Sequence, residues 1–148
     1  KDKLVSSTYI RALIKKGDLI TAQKLLTRPV SVLGTVIKGV SLARRLGFPT
    51  ANIDPHHEVI PPSGVYAVRI IFDNMKLRGI CNIGIKPTFN VKESREQAHV
   101  ELHIFNFNKD IYGKYLEIQF IKKIRDEKKF SSSCALIEQI RKDIKTLN

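Results

Sequence analysis

The rhythm of apolar and polar positions changes twice along this chain. From Tyr9 to Lys16 the apolar residues recur at helical spacing, Ser6-Ser7-Thr8 offers N-cap oxygens, and Gly17 supplies a stop. Asp18 then predicts the cap of a second short helix reaching about Leu26, with Leu19, Ala22, Leu25 and Leu26 on one side. Arg28-Pro29 closes that segment, because proline cannot continue a helix. Beyond it the pattern is that of strands: Val30 to Ile37, Val65 to Phe72, Leu77 to Ile83, Val100 to Phe107 and Tyr115 to Ile121. Asp73-Asn74 predicts a tight hairpin turn between the second and third of these runs. Strand runs separated by turns, with no helical pattern between them, point to an antiparallel Greek-key or barrel architecture. The last stretch is helical again. Ser131-Ser132-Ser133 caps a helix with Leu136, Ile140, Ile144 and Leu147 on one face, suited to packing against the outside of a barrel.

Composition narrows the possibilities only a little. The 148 residues make about one domain, and no apolar run approaches membrane-spanning length. Cys81 in a strand-like run and Cys134 in a helix-like run form no disulfide framework, which fits a reducing cytoplasm. The formal charge of +12 favours polyanions, either a nucleic acid or a nucleoside triphosphate. Its carriers are scattered pairs such as Lys15-Lys16, Arg44-Arg45 and Lys122-Lys123, which read first as solvated surface.

The densest local signal is Leu46-Gly47-Phe48-Pro49-Thr50-Ala51-Asn52. Pro49 fixes its own φ and holds Phe48 extended, so Thr50 and Asn52 present a hydroxyl and an amide on one side of a non-helical segment. Two neutral oxygen ligands suit Mg²⁺ held against phosphates, while a strand entry capped by Thr and Asn is the simpler reading of the spacing alone. No G-x-x-x-x-G-K-[ST] loop exists, so a phosphate cradle would have to use the stretch from Gly39 to Gly47, which carries Arg44 and Arg45. In His99-Val100-Glu101-Leu102-His103-Ile104 the apolar positions share one face, and Glu101 stands on the other between two histidines. A polar outer strand face explains that pattern without any catalysis. Their Cα atoms would be about 13 Å apart at roughly 3.3 Å per residue, so the two histidines cannot share a zinc ion. Ile83-Gly84-Ile85-Lys86-Pro87-Thr88-Phe89 repeats the Gly and Pro-Thr pattern after a strand. Arg125-Asp126-Glu127-Lys128-Lys129-Phe130 is either a solvated linker or a place where an arginine and a phenyl ring sandwich a flat heterocycle.

Taken in order, these pieces form one series: Gly39 with Arg44 to Asn52, Pro62-Ser63-Gly64-Val65-Tyr66, Asn82-Ile83-Gly84 with Pro87-Thr88-Phe89, then His99 to His103, Asp110-Ile111-Tyr112-Gly113, and Arg125-Asp126-Glu127 with Phe130. The series resembles the riboflavin kinase domain of the bacterial bifunctional riboflavin kinase/FMN adenylyltransferases, the FAD synthetases. The resemblance runs from about Pro29 to the C-terminus, whereas Val5-Ser6-Ser7-Thr8-Tyr9-Ile10-Arg11 resembles the last motif of the adenylyltransferase domain. Two units are therefore expected, a remnant of that domain over 1–28 and a riboflavin kinase domain over 29–148.

The resemblance implies a mainly β fold: a six-stranded antiparallel Greek-key barrel with a C-terminal helix and short N-terminal helices. It implies Mg²⁺-dependent transfer of the ATP γ-phosphoryl group to the ribityl 5′-hydroxyl of riboflavin, giving FMN, with no FAD expected from this stretch. By position, Gly39, Arg44, Arg45, Gly47 and Pro49 would form the ATP site together with Thr50 and Asn52, which also hold Mg²⁺. Glu101 would be the catalytic base, and Arg125, Glu127, Phe130, Pro87 and Thr88 would line the flavin site. The expected partners are small molecules and the adenylyltransferase domain, with no nucleic acid and no membrane, in the cytoplasm. Two positions depart from the family pattern: Ala43 stands where glycine is usual, and Asn106 where an acidic residue is frequent. The competing readings are a basic nucleic-acid-binding barrel and a flavin-binding barrel without turnover.

Overall fold

Each helix starts where a short polar side chain can accept an orphan backbone N–H. In this computed structural model, which describes residues 4–39, 47–86 and 97–147, α1 spans Ser7–Lys16 and α2 spans Leu19–Leu26. Ser6 Oγ accepts from Tyr9 N at 3.2 Å, and Asp18 Oδ1 accepts from Thr21 N at 3.1 Å. Gly17 ends α1 at φ 89°, a conformation that an L side chain rarely adopts. Leu13, Ile14, Leu19 and Ala22 are buried in the same core as the strands, and Gln23 Nε2 donates to the Phe120 carbonyl at 3.0 Å. The helix pair is thereby fastened to the sheet.

Six strands follow: β1 Ser31–Ile37, β2 Ala51–Asp54, β3 Gly64–Phe72, β4 Met75–Lys86, β5 Gln97–Ile104 and β6 Tyr115–Arg125. They close into a barrel in the order β1-β2-β5-β4-β3-β6, every neighbouring pair antiparallel. β6 returns beside β3 after the β3-β4-β5 meander, the Greek-key arrangement that the strand pattern predicts. Closure leaves no free sheet edge. Inward positions fill the barrel, among them Val32, Ile53, Tyr66, Ile70, Leu102, Ile118 and Phe120. The Phe120 and Tyr66 rings meet edge to face at 5.3 Å.

The strand pattern did not single out β2, and the other differences from the sequence expectation lie at the strand ends. β4 runs to Lys86 and β6 to Arg125, because each has a partner alongside it: β5 for β4, and β3 through two irregularities in register for β6. β5 stops at Ile104 instead of Phe107, and Asn106 beyond it takes φ 52°. Asparagine tolerates that left-handed conformation, which accounts locally for the residue found there. Asp73 and Asn74 both have positive φ, as a two-residue hairpin turn with the right twist requires. The final helix, α3, spans Ser133–Lys145, with Ser132 Oγ accepting from Ala135 N at 3.2 Å. Its apolar residues are only half-buried, and its one fully buried residue is Asp143. The helix therefore leans against the outside of the barrel and leaves space beneath it.

Candidate active site

Antiparallel register builds this site on the outer face of the barrel. Asn52 on β2, Glu101 on β5, Asn82 on β4, Val65 on β3 and Arg125 on β6 are successive cross-strand partners. Directly opposed residues share a face, so one lateral row carries two amides, a carboxylate and a guanidinium. Thr50 and His103 lie two residues along the same face. Above this row, beneath α3 and the 126–130 connection, is a cavity of about 320 Å³. Thr50, Asn82, Glu101, Arg125, Glu127 and Phe130 contribute to its wall, and Phe48, Leu136 and Ile140 give it an apolar side. A mostly apolar pocket with a few convergent polar groups is the usual form of a small-molecule site.

Its parts are held by identifiable contacts. Glu101 Oε1 lies 3.0 Å from His99 Nε2. His103 Nδ1 lies 2.8 Å from the Pro49 carbonyl oxygen, and its ring meets Phe48 edge-on at 5.9 Å, which seats the segment leading into Thr50. Asn52 is 5 % exposed, and both its Oδ1 and that of Asn82 are buried with no hydrogen-bond partner among the described residues. Such an oxygen loses solvation on folding and needs a partner to recover it. Gly39 explains how the Asn52 amide fits: a Cβ at position 39 would stand 2.0 Å from Asn52 Nδ2. Gly84 makes the same allowance for Glu127, whose Oε1 lies 2.5 Å from where a Cβ would be.

Arg125 is committed to the protein. Its Nε donates to both Asp143 oxygens at 3.1 Å, Nη2 donates to Oδ2 at 2.9 Å, and Nη1 donates to the Asp126 carbonyl at 3.0 Å. Its guanidinium carbon sits 5.8 Å from the Phe130 ring centre. The two groups therefore touch each other and leave no slot for a heterocycle between them; they form one wall of the cavity instead of a sandwich. Lys123 reaches Asp126 at 2.6 Å and holds that carboxyl below its usual range. Burial pushes the Cys81 thiol up to about 12, and the Glu101 charge across the sheet adds to the shift.

The family model for flavokinase, described as riboflavin kinase, matches residues 26–148. The chain belongs to the riboflavin kinase family. It is 43 % identical over 144 residues to the bifunctional riboflavin kinase/FMN adenylyltransferase of Bacillus subtilis, covering 97 % of this chain and 45 % of that protein. The protein of the same description from Buchnera aphidicola (Schizaphis graminum) is 47 % identical over 146 residues, covering 97 % of this chain and 46 % of its own length. This chain thus spans less than half the length of the curated relatives it matches, and the part it spans is the kinase part. A solved Streptococcus pneumoniae chain described as a macrolide-efflux protein superposes with a TM-score of 0.85 at 35 % identity, over 96 % of this chain and 46 % of that one. Trypanosoma brucei riboflavin kinase superposes with a TM-score of 0.53 at 23 % identity, over 78 % of this chain and 75 % of that one, a likeness of fold. Among the described residues no helix is long and apolar enough to cross a membrane. Family membership supports the riboflavin kinase reading over the nucleic-acid-binding and non-catalytic flavin-binding readings.

Against the riboflavin kinase expectation, Thr50, Glu101, Arg125, Glu127 and Phe130 line one cavity, and Asn52 is the cross-strand neighbour of Glu101 beneath Gly39. Gly47 is exposed at φ 90°, and Pro49 is tied through its carbonyl to His103. Arg44, Arg45, Ala43, Pro87 and Thr88 lie outside the described residues. Sequence reasoning missed Asp143, although a signal existed: a carboxylate at 143 interrupts the apolar face formed by Leu136, Ile140 and Leu147. Asn82, Gly84 and Phe48 carried no such mark individually, because only register brings them to the cavity.

Proposed function

We propose that this cavity is where the ATP γ-phosphoryl group is transferred to the ribityl 5′-hydroxyl of riboflavin. The observation that carries the reading is the convergence of Thr50, Glu101, Arg125, Glu127 and Phe130 on one space, with Asn52 beside Glu101 in the barrel register. In the step itself, the 5′-oxygen bonds to the γ-phosphorus and the bond from that phosphorus to the β,γ-bridging oxygen breaks. ADP departs, and the hydroxyl proton passes to Glu101. Phosphoryl transfer asks the protein chiefly to position reactants and stabilise charge. Glu101, on a rigid central strand, orients the hydroxyl, while the half-buried wall of Phe48, Leu136 and Ile140 excludes water and packs against the flavin. Arg125 and Phe130 form the far wall. By the family resemblance, Gly39, Arg44, Arg45 and Gly47 would serve ATP, and Pro87, Thr88 and Glu127 would serve the flavin.

The donor set also fits Mg²⁺. Asn52 Oδ1 is an orphaned buried acceptor, and Thr50 offers a neutral hydroxyl two residues away on the same face. Two neutral ligands suit an ion that takes its remaining donors from phosphate and water. Bound there, Mg²⁺ supplies charge neutralisation for the phosphates. In the bifunctional relatives' arrangement this chain would contribute the kinase half, with residues 1–28 as the end of the preceding unit, and would work in the cytoplasm.

Incubation of the 148-residue chain with riboflavin, ATP and Mg²⁺, followed by chromatography, tests the reading. FMN is the expected product, with no FAD formed. Tight flavin binding with no FMN and no ATP consumed would instead make this a binding barrel.

A further inference from the structure

Two histidines flank Glu101 on β5, and the structure gives them different partners. His103 turns to the Pro49 carbonyl at 2.8 Å, whereas His99 Nε2 lies 3.0 Å from Glu101 Oε1. The contact is a close imidazole–carboxylate pair on one strand face. We propose that His99 is a positioning residue for riboflavin phosphorylation: by holding Oε1 it directs Oε2 of Glu101 at the substrate hydroxyl. The inference rests on the reading of Glu101 as the base.

The surroundings favour this assignment. His99 and Glu101 are two residues apart on one strand and therefore share the outer face. The cross-strand neighbours of Glu101 are Asn52 and Asn82, uncharged amides whose Oδ1 atoms have no hydrogen-bond partner among the described residues. A glutamate side chain loses much rotamer freedom when it is fixed, and a close polar neighbour on the same strand face helps to fix it. The partner of His99 on β4 is Gly84, which has no side chain to crowd the ring. The Glu127 carboxylate lies over that glycine. Asp54, at the end of β2, is turned to His56, accepting from its backbone N–H at 2.8 Å. His99 and Glu101 are 26 % and 20 % exposed, open enough for substrate to reach the second oxygen and closed enough for the contact to persist.

The test compares His99→Leu, which removes the polar neighbour, with His99→Gln, whose amide can replace it, each alone and combined with Glu101→Gln. His99→Leu is expected to lower kcat for FMN formation roughly tenfold, the scale of a modest misplacement of a reacting group, while KM for riboflavin and ATP stays near normal. His99→Gln should recover most of that loss. In the Glu101→Gln background His99→Leu should cost nothing further, since a positioning residue has nothing left to position. Should His99→Leu fail to fold, His99→Ser makes the same comparison with a side chain too short to reach. Normal kcat in His99→Leu while Glu101→Gln is inactive overturns the role of His99 and leaves the base assignment standing. Normal turnover in both variants overturns the base assignment and the inference with it. An equal loss in the two backgrounds, or no recovery with glutamine, assigns His99 a purely structural part and also overturns the proposal.

Discussion

Replacing Gly39 by alanine should disable the proposed metal site with both of its ligands left in the sequence. The φ angle of Gly39 lies outside the left-handed region, so alanine meets no backbone penalty there. It meets a side chain. The new Cβ would stand 2.0 Å from Asn52 Nδ2 and 2.3 Å from its Cγ, where an ordinary contact begins at 3.4 Å. The amide must retreat by roughly the difference, more than an ångström, and at 5 % exposure it has little room to do so. Overpacking of this kind costs about 1–3 kcal/mol. Against a total stability of roughly 5–15 kcal/mol the chain remains folded. A misplacement near 1 Å costs on the order of 10²-fold in rate, or about 2.7 kcal/mol of barrier. The assay is the initial rate of FMN formation against Mg²⁺ concentration at saturating riboflavin and ATP, with riboflavin affinity measured separately by flavin fluorescence without nucleotide. Turnover should fall on the 10² scale and the Mg²⁺ requirement should rise, with flavin affinity near normal. Because the damage passes through Asn52, Gly39→Ala and Asn52→Ala should not multiply when combined. Wild-type turnover and Mg²⁺ dependence in Gly39→Ala, or fully multiplicative losses in the double variant, would refute the reasoning.

Four further outcomes are expected. Thr50→Ala should weaken Mg²⁺-nucleotide affinity and turnover while leaving riboflavin binding alone; titration of both ligands decides, and a collapse of flavin affinity with unaltered Mg²⁺ dependence counts against the metal role. Glu101→Gln is nearly isosteric and should lose roughly 10²–10⁴ in rate with folding and substrate binding retained, as for loss of a general base; near-normal turnover returns Glu101 to a structural role. Asp143→Asn breaks the pair that pins α3 over the cavity, leaving the Arg125 guanidinium uncompensated, and should cost about 3–5 kcal/mol of stability; a melting temperature unchanged by the substitution contradicts that. Finally, Cys81 is pushed up to about 12 by burial, and so is Tyr66, whose hydroxyl donates to the Pro62 carbonyl at 2.7 Å. From pH 9, the thiol's ordinary value, the unfolded chain gives up a proton that the folded chain keeps, and from pH 10 the phenol adds the same effect. Stability should therefore decline as pH climbs from about 9 toward 12. Cys81→Ala should delay the onset, and a melting temperature that stays flat to pH 11 in the parent chain would rule the effect out.

The sequence by itself determined the elements and the chemistry they carry. Caps at Ser6, Asp18 and Ser132, the stop at Gly17 and the hairpin at Asp73-Asn74 are local choices, decided by side chains within a few residues of the backbone groups they satisfy. Alternation in the Glu101 strand likewise showed which residues face the core, since the side-chain period of a strand is a property of its own backbone. Tertiary structure alone decided register and closure. β2 is four residues long, too short for alternation to declare it, and it is a strand because β1 and β5 supply its partners. The same long-range pairing sets Asn52 and Asn82 on either side of Glu101 and lengthens β4 and β6 beyond their apolar runs. Gly39 beneath which Asn52 fits, Gly84 over which Glu127 lies, and Asp143 meeting Arg125 are contacts between different elements of the fold. Neither alternation nor capping links such partners, so these contacts were not legible in the sequence.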